Sequence, residues 1–336
     1  MVGTDHLHML RAVELGAAVR TSTSPNPWVG CVLVTADGHE VEGATQTPGG
    51  PHAEAAALAQ AAATGLDTRG ATAYVTLEPC CHHGRTPPCT DALVDAGVAR
   101  VVVGITDPDA QVGGRGIERL RAAGVEVAIG IAADVVTEQL APYITHRETG
   151  RPYVVLKLAA SLDGRTAAPD GTSQWITGEA ARADAHRLRA ESDAVLVGAG
   201  TVRADDPALT VRNVAREGRD PLRVVLGKAP PDAKVHPAVE LEGDLGEVLD
   251  ELGRRQVLQL LVEGGATVAG TFHRAGLVDR YVVYLAPVLF GGDDARGLFT
   301  GAGASTMTDV WRGRIVGVTQ LGDDLRVDLY PPRRSN

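Results

Sequence analysis

Three residues that can bind zinc are spaced in the sequence as the ligands of a catalytic metal site. They are His52, Cys80 and Cys89, and Glu54 lies two positions after the histidine. Catalytic zinc takes three protein ligands and keeps its fourth position for water. Zinc lowers the pKa of that water to about 7, and a nearby carboxylate such as Glu54 can shuttle the proton without being a ligand. These residues therefore predict zinc-dependent hydrolytic chemistry.

The order His-x-Glu, then Pro-Cys, then Cys is typical of zinc-dependent nucleobase deaminases. Two residues separate the cysteines in that signature, whereas eight separate Cys80 from Cys89 in this chain. The alternative is a structural zinc site with Cys81 as a fourth ligand. Two adjacent cysteines seldom both reach one metal, and a closed site has no use for Glu54, so the catalytic interpretation is favoured.

The other histidines and cysteines near these motifs have more ordinary interpretations. His82 and His83 follow the cysteine pair, and loop histidines beside a metal site more often form hydrogen bonds or contact the substrate than bind the ion. Cys31 lies in an apolar stretch and is predicted to be a buried core thiol.

Composition limits the partners and the compartment. The 336 residues suit two domains. An aromatic content of 4% argues against a base-stacking platform, and a formal net charge of −10 opposes a polyanionic partner, so no nucleic-acid partner is expected. No apolar run reaches the roughly 18 residues of a membrane span, and the first residues lack the features of a secretory signal. All four cysteines lie in the first 90 residues, which favours reduced thiols in the cytoplasm.

Helices and strands must bring these ligands together, and the first half alternates between the two. Apolar periodicity and turn residues predict a turn at 25–27, a hairpin at Asp37-Gly38, helices over 7–19, 53–63, 90–96 and 115–123, and strands over 29–34, 73–77, 101–105 and 125–129. Such alternation predicts an α/β sandwich. In it, two helix starts can bring His52 to Cys80 and Cys89 beneath the strand ends.

The pattern breaks at residues 146–152, which are polar and contain Gly and Pro, so we predict domains over 1–147 and 151–336. Residues 1–145 contain 8 Arg and no Lys against 16 acidic residues, a net charge of −8, whereas the remainder is close to neutral. A second series of strands is predicted over 153–158, 194–197, 222–226, 259–262 and 281–286.

The second half offers weaker signals for a nucleotide site. No Gly-x-Gly-x-x-Gly follows a strand. Residues 198–201 follow a strand but are a weak signal alone. Residues 262–267 end a strand in two glycines before a predicted helix over 268–275, whose free N–H groups suit a phosphate. An ordinary strand–helix turn explains that segment equally well.

Three segments, 25–30, 51–54 and 77–89, closely resemble motifs of the bifunctional riboflavin-biosynthesis deaminase–reductase family, and the resemblance extends through essentially the whole chain. It implies a cytidine-deaminase-like three-layer α/β/α domain followed by a dihydrofolate-reductase-like α/β domain. It also implies Zn²⁺ and NADPH as cofactors. The first domain would deaminate 2,5-diamino-6-ribosylamino-4(3H)-pyrimidinone 5′-phosphate. The second would reduce the ribosyl chain of 5-amino-6-(5-phosphoribosylamino)uracil, and domains of its fold commonly pair as homo-oligomers.

By matched position, the resemblance makes His52, Cys80 and Cys89 the zinc ligands and Glu54 the proton shuttle. Lys157 is expected in the reductase active site, although it could instead be a snorkelling residue at a sheet edge. The residues expected at the cofactor are Ala160, Trp175, Thr201, Asp205, Gly265, Ala266, Thr267, Val268, Ala269, Gly270 and Thr271. The residues expected at the substrates are Asn26, Ser173, Arg189, Leu209, Arg212 and Glu263.

Some of these assignments have simple alternatives. Asn26 could be only a turn residue between two prolines. Arg189 and Arg212 suit a ribose 5′-phosphate, but surface arginines are usually only solvated. The family commonly has Asp-Ser where this chain has Gly227-Lys228, so one cofactor contact is lost, and Lys228 could meet a 2′-phosphate instead.

Two other functions compete with this interpretation. A nucleic-acid-editing deaminase would need a basic face, which the acidic first half opposes. A non-catalytic regulator with a structural zinc would have no use for Glu54 or Lys157.

Overall fold

The computed structural model describes residues 3–82, 87–109, 112–214 and 220–332, which form two compact units. Among these residues, the first unit ends at Gly150 and the second begins at Arg151. Each unit has its own sheet. None of the helices in the described ranges combines the length and the apolar character that crossing a membrane requires.

The first unit is built on a five-stranded sheet. Its order is β2-β1-β3-β4-β5, with β1 antiparallel to β2 and β3, and with β3, β4 and β5 parallel. The described elements are α1 (Thr4–Ala18), β1 (Gly30–Val34), β2 (Glu40–Ala44), α2 (Ala53–Ala63), β3 (Thr72–Leu77), α3 (Cys89–Asp95), β4 (Arg100–Ile105), α4 (Arg115–Ala122), β5 (Glu126–Ile129), α5 (Ala133–Gln139) and α6 (Ala141–Thr149).

Two glycines allow helices to close on opposite faces of this sheet. A Cβ on Gly30 would lie 1.9 Å from the Ala12 carbonyl oxygen in α1, and a Cβ on Gly43 would lie 2.2 Å from the Ala53 carbonyl oxygen in α2. Gly30 pairs with the residue after Gly43, so the two glycines face opposite sides. The unit is therefore a three-layer sandwich, and the close approach at Gly43 places the first turn of α2 against the sheet.

The elements predicted for the first unit are confirmed, with ends that differ by a few residues at most. The prediction of a polar link over 146–152 is wrong for residues 146–149, because these residues form the end of α6. That helix buries Tyr143 and His146 and ends where Gly150 adopts a left-handed φ of 72°. Its outward face is polar, and composition alone made it resemble a linker. Helix α5 was also missed.

The second unit contains an eight-stranded sheet of order β10-β9-β8-β11-β6-β12-β15-β14 and a two-stranded pair of β7 and β13. Its described elements are β6 (Tyr153–Ser161), β7 (Arg165–Ala167), α7 (Glu179–Ala190), β8 (Ala194–Gly198), α8 (Ala199–Asp205), β9 (Leu222–Leu226), β10 (Val239–Leu241), α9 (Leu245–Arg254), β11 (Gln259–Val262), α10 (Ala266–Arg274), β12 (Arg280–Ala286), β13 (Arg296–Gly297), β14 (Arg314–Leu321) and β15 (Asp324–Tyr330).

All five strands predicted for this unit are confirmed, as is the helix over 268–275. The first six strands in the sheet order, which are β10, β9, β8, β11, β6 and β12, run parallel to one another. Their apolar side chains pack with α9 and α10 in one core. The C-terminal hairpin of β14 and β15 was not predicted. It adds two antiparallel strands to the edge of the sheet beyond β12.

Candidate functional site

The predicted zinc ligands come together at two helix starts and one strand end. His52 is the residue before α2 and its side chain does not cap the helix, Cys89 is the first residue of α3, and Cys80 follows the end of β3. The His52 Nδ1 atom lies 3.6 Å from the Cys80 sulfur and 3.4 Å from the Cys89 sulfur. Tetrahedral zinc with ordinary bond lengths holds nitrogen and sulfur ligands about 3.5 Å apart. The three residues therefore fit zinc.

One of the two thiols, Cys80, favours the deprotonated form that binds metal, whereas a hydrogen bond with Cys80, followed by burial, raises the pKa of Cys89. The Cys89 backbone N–H, at the start of α3, donates to the Cys80 sulfur at 3.4 Å. A hydrogen bond from the Cys89 side chain, helped by one from His52, lowers the pKa of Cys80. Thiolates, not thiols, are the ligands of metals. The site therefore holds one sulfur ready for an incoming cation.

Glu54 lies in the first turn of α2, next to the ligand cluster, and is buried. Burial, followed by the negative charge of Cys80, raises the pKa of Glu54 to about 7. A carboxyl group with such a pKa can both accept and donate a proton near neutral pH. This is the property that the predicted proton shuttle needs.

A cavity of about 390 Å³ opens onto these residues. Its lining includes His52, Glu54 and Cys80, and also the predicted Asn26 and His82. Within the described ranges, Cys81 is not part of the cluster that could hold a metal. His83 lies outside the described residues, and Cys31 is a free, fully buried thiol, which confirms its prediction as a core residue.

One buried carboxylate that was missed from the sequence organises the wall of this cavity. Glu78 accepts hydrogen bonds of 2.8 to 3.2 Å from the backbone N–H groups of Asp107, Gly114, Gly116 and Ile117. It thereby holds the segment after β4 and the start of α4 beside the strand that leads to Cys80. Its place directly before Pro79-Cys80 was the only available signal.

In the second unit, three predicted residues form one partly buried ionic group. Two guanidinium nitrogens of Arg189 bind Glu263, with Nη2 at 2.9 Å from Oε2, and Nη1 donates to the Thr210 carbonyl. The Lys157 ammonium lies 3.8 Å from Glu263, and burial lowers the pKa of this lysine. Lys157 is on β6, between β11 and β12, so the edge alternative for it is wrong.

The predicted cofactor residues of α8 and α10 also meet. The Gly265 N–H donates to the Thr201 hydroxyl at 3.2 Å, and Gly265 precedes α10 without a side-chain cap. A Cβ on Gly264 would lie 2.5 Å from the Val268 Cβ, so this turn requires a glycine. The first N–H groups of a helix have no partner within it and suit a phosphate. The start of α10 therefore fits a phosphate group.

The remaining predicted positions are more dispersed. Trp175 is 68% exposed, with the Arg182 guanidinium 4.8 Å from its ring centre, and Ser173 lies in the same irregular segment before α7. Arg212 is exposed, and its backbone N–H donates to His186 Nδ1 at 3.2 Å. The other positions are Ala160, buried on β6; Asp205, the last residue of α8; Leu209, buried with a φ of 50°; and Ala266 to Thr271, within α10.

Two interactions near these residues were not predicted from the sequence. Lys228 lies 3.6 Å from Glu240, so its ammonium already has an acidic partner. Asp184 on α7 is buried and accepts hydrogen bonds at 2.7 Å from Tyr284 and from Arg326. This network fixes α7, which carries Arg189, to the sheet. It joins residues 100 and 142 positions apart, which sequence spacing does not reveal.

Comparisons with known proteins match both halves of the chain. Residues 3–105 match the cytidine and deoxycytidylate deaminase zinc-binding region, and residues 152–327 match the RibD C-terminal domain. The chain is 42% identical to the riboflavin biosynthesis protein RibD of Escherichia coli, over 97% of this chain and 99% of that one. It is 44% identical to RibD of Mycobacterium tuberculosis, over 95% of each.

Solved structures of related proteins resemble this chain over nearly its full length. RibD of Acinetobacter baumannii superposes with a TM-score of 0.90 at 41% identity, covering 98% of this chain and 99% of that one. A diaminohydroxyphosphoribosylaminopyrimidine deaminase/5-amino-6-(5-phosphoribosylamino)uracil reductase of Thermotoga maritima superposes with a TM-score of 0.88 at 35% identity, with the same coverage. The predicted fold, a cytidine-deaminase-like domain followed by an α/β reductase domain, is confirmed.

Proposed function

This chain belongs to the RibD family of riboflavin-biosynthesis proteins, and from that membership we propose which of its residues carry out each reaction. The chain is a zinc-dependent deaminase and an NADPH-dependent reductase, as the resemblance implied. We assign deamination to the unit that ends at Gly150 and reduction to the unit that begins at Arg151. Thiolate ligands need a reducing compartment, which supports a cytoplasmic location.

In the deaminase unit, His52 Nδ1 and the sulfurs of Cys80 and Cys89 would hold the metal. When bound, zinc supplies a water molecule acidified to a pKa of about 7. Glu54 accepts a proton at its buried carboxylate and passes it to the departing amine nitrogen. A water oxygen bonds to the pyrimidine carbon, the bond from that carbon to the amine breaks, ammonia leaves, and the water oxygen remains as the carbonyl oxygen. Asn26, in the same cavity, is positioned to orient the base.

In the reductase unit, NADPH supplies a hydride when it is bound with a phosphate at the start of α10. Reduction of the ribose C1′ atom opens the sugar ring, and the former ring oxygen must gain a proton. Lys157 Nζ supplies that proton in this proposal, since burial lowers its pKa and makes it a better acid. Glu263 holds the ammonium in place at 3.8 Å.

The observation that carries this proposal is the clustering of His52, Cys80 and Cys89. Buried Glu54 lines the same cavity as two of these ligands, His52 and Cys80. The test is a coupled assay on 2,5-diamino-6-ribosylamino-4(3H)-pyrimidinone 5′-phosphate. We expect zinc-dependent release of ammonia, followed by oxidation of one NADPH for each ammonia released. If the protein holds zinc but releases no ammonia from this substrate, the proposed division of chemistry is wrong.

Arg212 is the residue to which we assign the substrate phosphate in the reductase unit. Arg189 is already engaged by Glu263 and the Thr210 carbonyl, whereas the Arg212 side chain is exposed. Arg212→Ala should raise the KM for the phosphorylated substrate about 10- to 100-fold, because charged hydrogen bonds are lost. The KM for the dephosphorylated analogue and the Kd of NADPH should barely change.

The control for this variant is Arg255→Ala, directly after the end of α9, where the arginine pairs with Glu251 at the surface. It should leave both KM values unchanged. If Arg212→Ala instead raises the Kd of NADPH and leaves the preference for the phosphorylated substrate unchanged, our assignment of the two phosphate sites is reversed.

We also propose that the reductase unit pairs with a second copy through the C-terminal hairpin. Ile315 and Val318 on β14 share a face with Leu325 on β15, and they are 64%, 59% and 38% exposed. The opposite face of β15 carries the buried Arg326 and packs with α7. An exposed apolar face on an edge strand favours association. A second copy of the same hairpin supplies a matching surface.

Val318→Asp is therefore expected to convert a dimer into a 35.0 kDa monomer. The reason is that a buried charge opposes the apolar contact, which contributes about 1.5–3 kcal/mol for each buried aliphatic side chain. Sedimentation velocity measures the mass. Thr319→Asp, at an exposed polar position of the same strand, is the matched control. A wild-type protein that sediments as a monomer would contradict the proposal.

A further inference from the structure

The cavity of the deaminase unit contains a cationic side chain that the reaction described above does not use. Arg147, on α6, lines the same cavity as His52, Glu54 and Cys80. We propose that Arg147 binds the 5′-phosphate of the substrate during deamination. This inference rests on the proposed deaminase function, because that substrate carries a phosphoribosyl group.

The acidic side chains near Arg147 in the cavity do not occupy its guanidinium hydrogen-bond donors. Glu78 is occupied by four backbone N–H groups, and Asp107 accepts from the Asp109 N–H and from the Tyr143 hydroxyl at 3.2 Å. Asp109 is the acid that faces Arg147, with its Oδ2 atom 4.0 Å from Nε. That distance is too long for a hydrogen bond. The pair is therefore an open ionic contact and does not use up the guanidinium donors.

The position of Arg147 is also fixed in advance. Its guanidinium lies 5.0 Å from the ring centre of Tyr143, one turn earlier on α6, and the Tyr143 hydroxyl contacts Asp107. Its Nε atom is buried and has no hydrogen-bond partner among the described residues, and its side chain is 27% exposed. A buried donor without a partner is costly. A phosphate oxygen would satisfy it.

The size and charge of the cavity agree with this role. A volume of about 390 Å³ lies in the range of sites for small ligands and cofactors. With the reacting amine at the metal cluster, the ribose phosphate must extend away from Glu54 toward another part of the wall. Among the lining residues that the structure describes, Arg147 is the one side chain with a permanent positive charge. A guanidinium is suited to bind phosphate through two parallel hydrogen bonds.

The experiment compares deamination of the 5′-phosphorylated substrate with that of its dephosphorylated analogue. Arg147→Ala should raise the KM for the phosphorylated compound about 10- to 100-fold, as expected for lost charged hydrogen bonds. The KM for the analogue should change less than about threefold. Arg147→Lys, which keeps the charge but loses the bidentate geometry, should recover part of the loss.

Two controls separate phosphate binding from a structural ion pair. Asp109→Asn removes the acidic partner of Arg147 and should preserve or strengthen the preference for the phosphorylated substrate. If Asp109→Asn and Arg147→Ala instead raise the KM of the phosphorylated substrate and of its analogue by the same factor, the ion pair is structural and the inference is wrong. Arg121→Ala, at an exposed arginine on α4 outside the cavity lining, should have no effect.

The reductase activity of each variant checks that the chain is folded, since that chemistry belongs to the other unit. Unchanged discrimination between the two substrates in a folded Arg147→Ala protein would overturn this inference alone. Absence of ammonia release from the unaltered protein would overturn the proposed deaminase function, and this inference with it.

Discussion

Glu54→Gln is expected to abolish deamination while the protein keeps its zinc. The amide has the shape of the carboxylate, but it cannot accept and return a proton. General acid–base catalysis by a positioned group contributes about a hundred- to ten-thousandfold to a rate, so ammonia release should fall by at least that range. The ligand atoms of His52, Cys80 and Cys89 lie within 4.8 Å of one another, and Glu54 is not one of the ligands. Zinc content should remain at one per chain.

Three measurements check this expectation. Ammonia release gives the rate, metal analysis after dialysis gives the zinc content, and NADPH oxidation with the deaminated substrate reports on the reductase unit. Glu118→Gln, at an exposed position on α4, is the matched control and should behave as the wild type. Near-normal ammonia release from the Glu54→Gln protein would show that another group moves the proton.

Cys80→Ser and Cys89→Ser are expected to lose zinc, whereas Cys81→Ser should retain it. A serine hydroxyl stays protonated and is a poor ligand, so two donors remain where a hydrolytic site needs three. Deamination should fall to background in the first two variants. Cys81 carries the same substitution next to Cys80 and lies outside the ligand cluster in the described residues, which makes it a matched control.

Zinc content after dialysis and ammonia release are measured together for the three variants. Retained reductase activity shows that the second unit remains folded in each. Loss of the metal from Cys81→Ser would indicate a closed site with four protein ligands, which is a structural zinc. The open coordination position assigned to the substrate water would then not exist.

The sequence by itself determined most of the local structure and the identity of the metal ligands. Helix α2 was predicted over the residues it occupies, because an alanine-rich apolar stretch begins directly after Pro51-His52. The strands that were predicted are short, apolar and bounded by turn residues, so their existence depends mainly on nearby residues. The ligands were identifiable because zinc accepts few residue types, and a helix start is a local feature that presents them.

The tertiary structure decided which residues surround those ligands. Glu78 follows β3, Asp107 follows β4, and Tyr143 and Arg147 lie on α6. Only the order of strands β3 and β4 and the return of α6 bring these residues to one cavity. Arg147 lies in the segment that composition identified as a linker, because a polar helix face and a polar loop have the same residue content.

The same distinction applies to the second unit. Lys157 could be an edge residue or an interior one until the sheet order placed β6 between β11 and β12. The pairing of Arg189 with Glu263 joins residues 74 positions apart and depends on where α7 packs. Strand order and helix packing depend on contacts between distant residues, and a single sequence records local periodicity but not those contacts.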